Sequence, residues 1–216
     1  NEFYVPYLHC GGSDDALQML KSHYDFDLNE FYNGEYFWRD KTRIAPHNIF
    51  TSTELVAKAI ENKHWTVGDN FPVWIYKEEA AGETRPANQE IAINYMNQDF
   101  NILWRYDADR NDYIRFQGDE QQKDADGSEI RAKNVAILYT ESKIIDSYGR
   151  RKTKTVGKGK AVVFQDGQAV ECTWSRINQQ SRTRFYNEAG AEIAFNPGAT
   201  WIEVVPDHFP RAVYTN

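Results

Sequence analysis

Long hydrophobic runs are missing from this chain: no stretch approaches the ~18 consecutive apolar residues that a transmembrane helix needs. Cysteine is scarce. Cys10 and Cys172 lie far apart and form no CxxC, which leaves one disulfide or two free thiols equally open and excludes a multi-bridge scaffold. Positive charge is in deficit, since 25 Lys and Arg face 32 Asp and Glu for a net charge of −7. A phosphate-backbone binder needs a basic footprint, so nucleic acid is excluded as the expected partner. Internal repeats and low-complexity segments are absent, as is the GxSxG elbow of serine hydrolases. There is no starting Met and no signal peptide; the chain opens in a strand-like run, Phe3 to Leu8, as a processed or trimmed chain would.

What is abundant is aromatic residues: 14% of the chain, with six Trp, twelve Phe and thirteen Tyr against two Met. Rings pack well on half-buried pleated faces, so this composition favours sheet. The first third nevertheless carries two helix signals. Ser13 is placed as an N-cap, with Asp14 and Asp15 in the first turn and Leu17 and Leu20 on an apolar stripe. Thr51 and Glu54 have capping-box spacing ahead of Leu55, Val56, Ala59 and Ile60.

A polar stretch over residues 77–90, with Gly82 and Pro86, reads as a boundary. Beyond it the period is two. Strands are expected at 91–96, 102–106, 113–116, 134–139, 161–165, 168–174, 183–186, 192–195 and 201–205. Asp166-Gly167 supplies a two-residue hairpin turn. The expected fold class is α+β, with an N-terminal mixed α/β portion over 1–80 and an antiparallel β-rich C-terminal domain over 81–216.

Several motifs point toward chemistry. His9 with Gly11-Gly12 precedes one helix and His47-Asn48 the other, and helix N-termini attract anions. Arg39 and Arg43 add planar forks for phosphate or carboxylate. The candidate anion pocket is therefore His9, Ser13, Arg39, Arg43, His47 and Asn48; the competing reading assigns these residues to capping and loop tethering. Arg150 to Lys160 holds six positive charges in eleven residues, able to meet anionic lipid or wall polymer or simply to sit in solvent at a hairpin end. Asp107 to Asp112 starts like a calcium loop but lacks Gly at its sixth position and Glu at its twelfth, which favours a polar hairpin turn. Trp38, Trp65 and Trp74 could stack on sugars, whereas Trp174 and Trp201 fall in strand patterns and are expected in the core. His9 is badly placed as a base for adjacent Cys10, because neighbouring strand residues face opposite ways. No metal ligands, cofactor or catalytic residues are assigned.

The ordered motifs "LHCGGSDDAL", "YFWRDKTRIAPHNIFTS", "NVAILYTES", "VGKGKAVVFQDGQAVECTWSR" and "NPGATWIEVVP" resemble the YerB-type lipoproteins, over most of positions 8–206. The resemblance covers the later part of that family's N-terminal domain and its C-terminal domain. It implies an extracytoplasmic, lipid-anchored protein of a Gram-positive bacterium, with no assigned activity. The anchor and the first part of the N-terminal domain have no counterpart in this sequence, and Cys10 stands where the family would have a small residue. On this footing the chain is expected to bind an anionic envelope ligand or a partner protein. An enzyme acting on a cell-wall or anionic glycolipid substrate is the alternative, and membrane contact is expected only through the anchor.

Overall fold

A computed structural model describes residues 5–68 and 73–215. The chain divides into two units, residues 1–72 and 73–216. This division falls at 72/73 rather than at the expected 80/81, because the polar stretch is tied to the second unit. Tyr76 bridges Phe195, Lys77 and the Ala80 amide bond Asp166, and the Arg85 guanidinium donates to the Ala108 carbonyl at 3.2 Å.

In the first unit, β1 (Tyr7–His9) pairs in parallel with β2 (Asp27–Asn29) across α1 (Asp14–His23). Phe3 and Tyr4 of the expected opening strand lie outside the described residues. Then β3 (Trp38–Arg39) pairs antiparallel with β4 (Ile49–Phe50), and α2 (Thr53–Asn62) follows. Ser13 caps α1 as expected, accepting from the Ala16 amide. The cap of α2 is Ser52, accepting from the Leu55 amide, not Thr51. The Thr51 hydroxyl instead donates to the Tyr36 carbonyl at 2.7 Å, so a tertiary bond holds the residue that spacing had put at the cap. The core here is small: Leu28, Tyr36 and Ala59, with Leu8, Phe37, Leu55 and Trp65 packed around them.

The second unit is built mainly of sheet, with short 3-10 turns at Gly82–Thr84 and Gln98–Phe100. One sheet comprises β5 (Glu90–Ile93), β6 (Ile102–Asp107), β7 (Asp112–Gln117) and β8 (Glu120–Gln121), with β9 (Arg131–Ala132) also paired to β7. The other is centred on β10 (Asn134–Thr140). A short ribbon of β11 (Ser142–Ile144) and β12 (Arg151–Thr153) separates β10 from β13 (Gly157–Gln165), which pairs with it. Next come β14 (Gln168–Arg176), β15 (Arg184–Tyr186), β16 (Thr200–Pro206) and β17 (Val213–Tyr214). The spatial orders are β17-β5-β6-β7-β8 and β15-β14-β13-β10-β16. Pairing is antiparallel except for β10 with β16, which is parallel. The expected strand at 192–195 is reduced to isolated bridges at Glu192 and Phe195.

Inward residues of both sheets interdigitate: Ile91, Ile93, Trp104 and Tyr113 from one meet Val135, Ile137, Phe164 and Val205 from the other. The opposite face of the second sheet is covered too, by Trp74, Ile193 and Phe195 over Ala136, Val163, Trp174 and Phe185. β10 is therefore buried on both sides, which is why it reads as an unbroken apolar run rather than an alternation. Trp174 is fully buried and Trp201 packs against the core, as their strand patterns imply. Asp166 and Gly167 turn the β13–β14 hairpin with φ of 55° and 68°. A Cβ on Gly167 would lie 2.6 Å from Pro86 and Tyr106 atoms, so the turn needs glycine for both conformation and space.

Candidate functional site

The six residues expected to form an anion pocket all fall in the first unit, and most already have partners. His9 ends β1; its Nε2 lies 2.7 Å from Asp27 Oδ1 and its Nδ1 2.7 Å from the Gly11 carbonyl. Ser13 is occupied as a cap. Arg39 donates to Glu30 Oε1 at 2.9 Å and to Asn48 Oδ1 at 3.2 Å. Arg43 lies 3.8 Å from Asp40 and over the Phe50 ring. His47 is exposed, its amide bonded to the Ile44 carbonyl. Fold geometry thus joins Arg39 to Asn48 directly, and Glu30 links Arg39 to the Cys10 thiol beside His9, at 3.7 Å. Asp27, Glu30 and Asp40 were not in the expected set, and no spacing rule marks them. Each of the three facing cations (His9 when protonated) has a carboxylate against it, so the patch offers donors and acceptors rather than bare positive charge.

Exposed rings border this patch: Phe31, Tyr32 and Trp38, the last stacked on Phe50 at 6.0 Å. Of the three tryptophans expected to offer a sugar platform, only Trp38 presents an open face. Trp65 packs on Phe26, and Trp74 belongs to the second unit, buried with its indole N–H on the Thr183 carbonyl. Both thiols are free. Burial, and then the neighbouring Glu171 carboxylate, push the Cys172 thiol up to about 12, which leaves it inert as a nucleophile at neutral pH.

Sequence reasoning missed the most built site, which lies between the two sheets of the second unit. Period-two alternation puts Tyr113, Arg115 and Gln117 of β7 on one face, and Trp201, Glu203 and Val205 of β16 on another. Both faces turn inward. Arg115 and Glu203 are thereby carried into the core, 7% and 5% exposed. The Arg115 guanidinium donates through Nε and Nη2 to Glu203 Oε1 at 3.3 Å, and through Nη1 to Gln122. The Trp104 indole N–H reaches the same carboxylate oxygen at 3.2 Å, and the Tyr95 hydroxyl donates to Oε2 at 3.1 Å. Arg115 also sits 4.6 Å over the Trp201 ring, which meets Trp104 edge-on at 5.5 Å. Burial, and then the Glu203 charge, raise the Tyr95 hydroxyl above the usual tyrosine range, so it remains a donor.

A cavity of about 390 Å³ opens onto this pair, lined by Tyr95, Phe100, Ile102, Arg115, Gln117 and Glu203. The sequence signal that could have found it is a charge on the inward side of a strand: Arg115 two places after Tyr113, and Glu203 between Trp201 and Val205. A larger depression of about 580 Å³ beside Asp99, Asp119, Glu120 and Lys123 is walled by exposed charges and holds no buried donor. Among the described residues, no three His, Cys, Asp or Glu side chains converge as a metal would require. The calcium-like stretch at 107–112 is the β6–β7 hairpin turn, its Asp107 and Asp112 both held by Arg131.

Two family models match the chain. That for the DUF3048 protein of unknown function, C-terminal domain, covers residues 91–202, more than half of the chain, and that for the N-terminal domain covers 1–66. A Bacillus subtilis (strain 168) protein called "Putative lipoprotein YerB" is 28% identical over 213 residues, 96% of this chain and 62% of the relative. This chain thus spans less than two thirds of that relative's length. The crystal structure of the YerB protein from Bacillus subtilis superposes with a TM-score of 0.83 at 25% identity. The superposition covers all of this chain and 72% of the other.

Proposed function

This chain belongs to the DUF3048 family through both of its domains, and on that premise we propose that it is an extracytoplasmic, lipid-tethered binding module. Its ligand is a small polar molecule of the cell envelope, held in the Arg115–Glu203 cavity. The location rests on the name of the Bacillus subtilis relative, "Putative lipoprotein YerB". The binding role rests on one observation: a buried, fully bonded ion pair forming part of the lining of an open cavity. Such a pair costs desolvation energy that apolar residues of the same volume would not, so its presence at a cavity is better explained by recognition than by stability.

Binding is favoured over catalysis because the lining residues include no Ser, Cys or His, and Glu203 Oε1 already accepts three N–H groups. The ligand would need hydrogen-bonding groups for Tyr95 and Gln117 and an apolar edge against Phe100 and Ile102. Thermal unfolding of the chain with soluble muropeptides, amino sugars and glycerol phosphate tests this. A ligand at about 100 times its Kd adds about 2.7 kcal/mol, a rise of about 5–10 °C for a chain of this size. Phe100→Ala and Gln117→Ala, both at the cavity mouth, should remove the rise while unfolding normally. No rise with any of these compounds in the parent chain would leave the ion pair a purely structural feature.

A further inference from the structure

The β11–β12 ribbon combines two features that a solvated turn does not need together. Its tip exposes three apolar side chains, Ile144 at 62%, Ile145 at 56% and Tyr148 at 85%. Its flanks and the following strand are strongly basic: residues 141–160 carry seven Lys and Arg against two Asp and Glu, in a chain whose net charge is −7. The tip is well formed rather than loose. The Ile145 amide bonds the Arg150 carbonyl at 2.8 Å, and Asp146 Oδ1 accepts from the Tyr148 and Arg150 amides. Arg151 fixes the ribbon's base through Ser142 Oγ and His208 Nε2, and lies over the Phe209 ring.

The two acidic groups of the segment are spent locally, Glu141 on Lys143 and Asp146 on Arg150. Among the described residues, Lys152, Lys154, Lys158 and Lys160 make no ion pair. Three of them, with Arg211 stacked 3.8 Å over Tyr139, line a cavity of about 290 Å³ whose only acidic members are Glu141 and Asp207. The result is an apolar tip set on a cationic collar. Water favours neither exposing the two isoleucines nor crowding like charges behind them. A bilayer surface satisfies both, taking apolar side chains at the headgroup–acyl boundary and lysines against anionic headgroups.

We propose that this ribbon is a docking surface for an anionic lipid bilayer, with Ile144, Ile145 and Tyr148 entering the interface and Lys152, Lys154, Lys158, Lys160 and Arg211 facing the headgroups. The contact is separate from any covalent lipid and does not depend on the cavity reading above. The experiment is co-sedimentation of the 216-residue chain with vesicles of phosphatidylcholine alone and of phosphatidylcholine with phosphatidylglycerol, at low and high salt. Two variants accompany it: Ile144→Ser, Ile145→Ser, Tyr148→Ser, and Lys152→Gln, Lys154→Gln, Lys158→Gln. All six positions lie at the surface or partly so, and the thermal midpoint of each variant checks that the fold survives.

The parent chain is expected to sediment with the anionic vesicles only, and to release in salt. Each lysine removed should weaken binding about fivefold, and the tip variant should lose at least as much as one lysine. Equal sedimentation of the parent and both variants, or none of the parent with anionic vesicles, overturns the proposal. So does binding of soluble poly(glycerol phosphate) that the tip variant retains while vesicle binding is absent, which would make the collar a polymer site.

Discussion

The two units each contain an arginine–glutamate pair at hydrogen-bonding distance, and the pairs are physically different objects. Arg39–Glu30 lies in the first unit with the arginine side chain 44% and the glutamate side chain 12% exposed, beside open aromatic rings. Arg115–Glu203 lies between two sheets, each side chain under 9% exposed, with indole and phenol donors completing its bonds. The first is a half-open tie whose arginine end water can reach. In the second, losing one partner leaves a largely buried charge with only its minor partners, Gln122 for Arg115 or Trp104 and Tyr95 for Glu203. Burial, not the identity of the partners, sets what a charge pair does for a fold.

The sharpest test of that contrast is Glu203→Ala, which strands the Arg115 guanidinium between Trp104 and Trp201. Breaking a buried pair in this way costs about 3–5 kcal/mol, read as the shift in urea unfolding of the second unit. Replacing both partners, Arg115→Met with Glu203→Leu, should recover most of the loss. A double variant as unstable as the single one would mean that the pair itself, and not the orphaned charge, holds the sheets.

Asp166 provides a middle case. Burial alone would raise its carboxyl, yet bonds from Lys77, Asn111 and Asn196 hold it below the ordinary value of 3.8. A depressed folded value means that stability is present above about pH 4 and is lost as pH falls through it. Asp166→Asn keeps the positive-φ turn and removes the charge. It should cost about 1–3 kcal/mol at pH 7 by leaving bonded groups without an acceptor, and its stability should decline less than the parent's between pH 5 and pH 3. Parallel declines would remove Asp166 as the acid-labile point.

The smallest effect is expected in the first unit, where Arg39→Ala should cost under about 1 kcal/mol, and less in high salt. A loss comparable to that of Glu203→Ala would break the comparison, because it would show the surface network acting as a core.

Much of this architecture is legible in the amino-acid order. The strands at 102–106, 113–116, 134–139 and 201–205 follow from alternation or from short apolar runs, and Asp166-Gly167 places its hairpin to the residue. The Ser13 cap follows from local chemistry as well. Misreadings arise where a distant partner competes. Thr51 fits a cap by spacing, but its hydroxyl is taken by the Tyr36 carbonyl. Of the expected site, Arg39 and Asn48 meet, while the carboxylates opposite His9, Arg39 and Arg43 could not be foreseen.

By itself, then, the sequence determined where strands and helices run and which side of each strand is apolar, because side-chain direction and turn chemistry depend on near neighbours along the chain. Only the tertiary structure decided that β10 lies between β13 and a parallel β16, and that Arg115 meets Glu203 across 88 positions of chain. Those choices rest on which apolar faces bury one another in space, and no spacing along a chain records that.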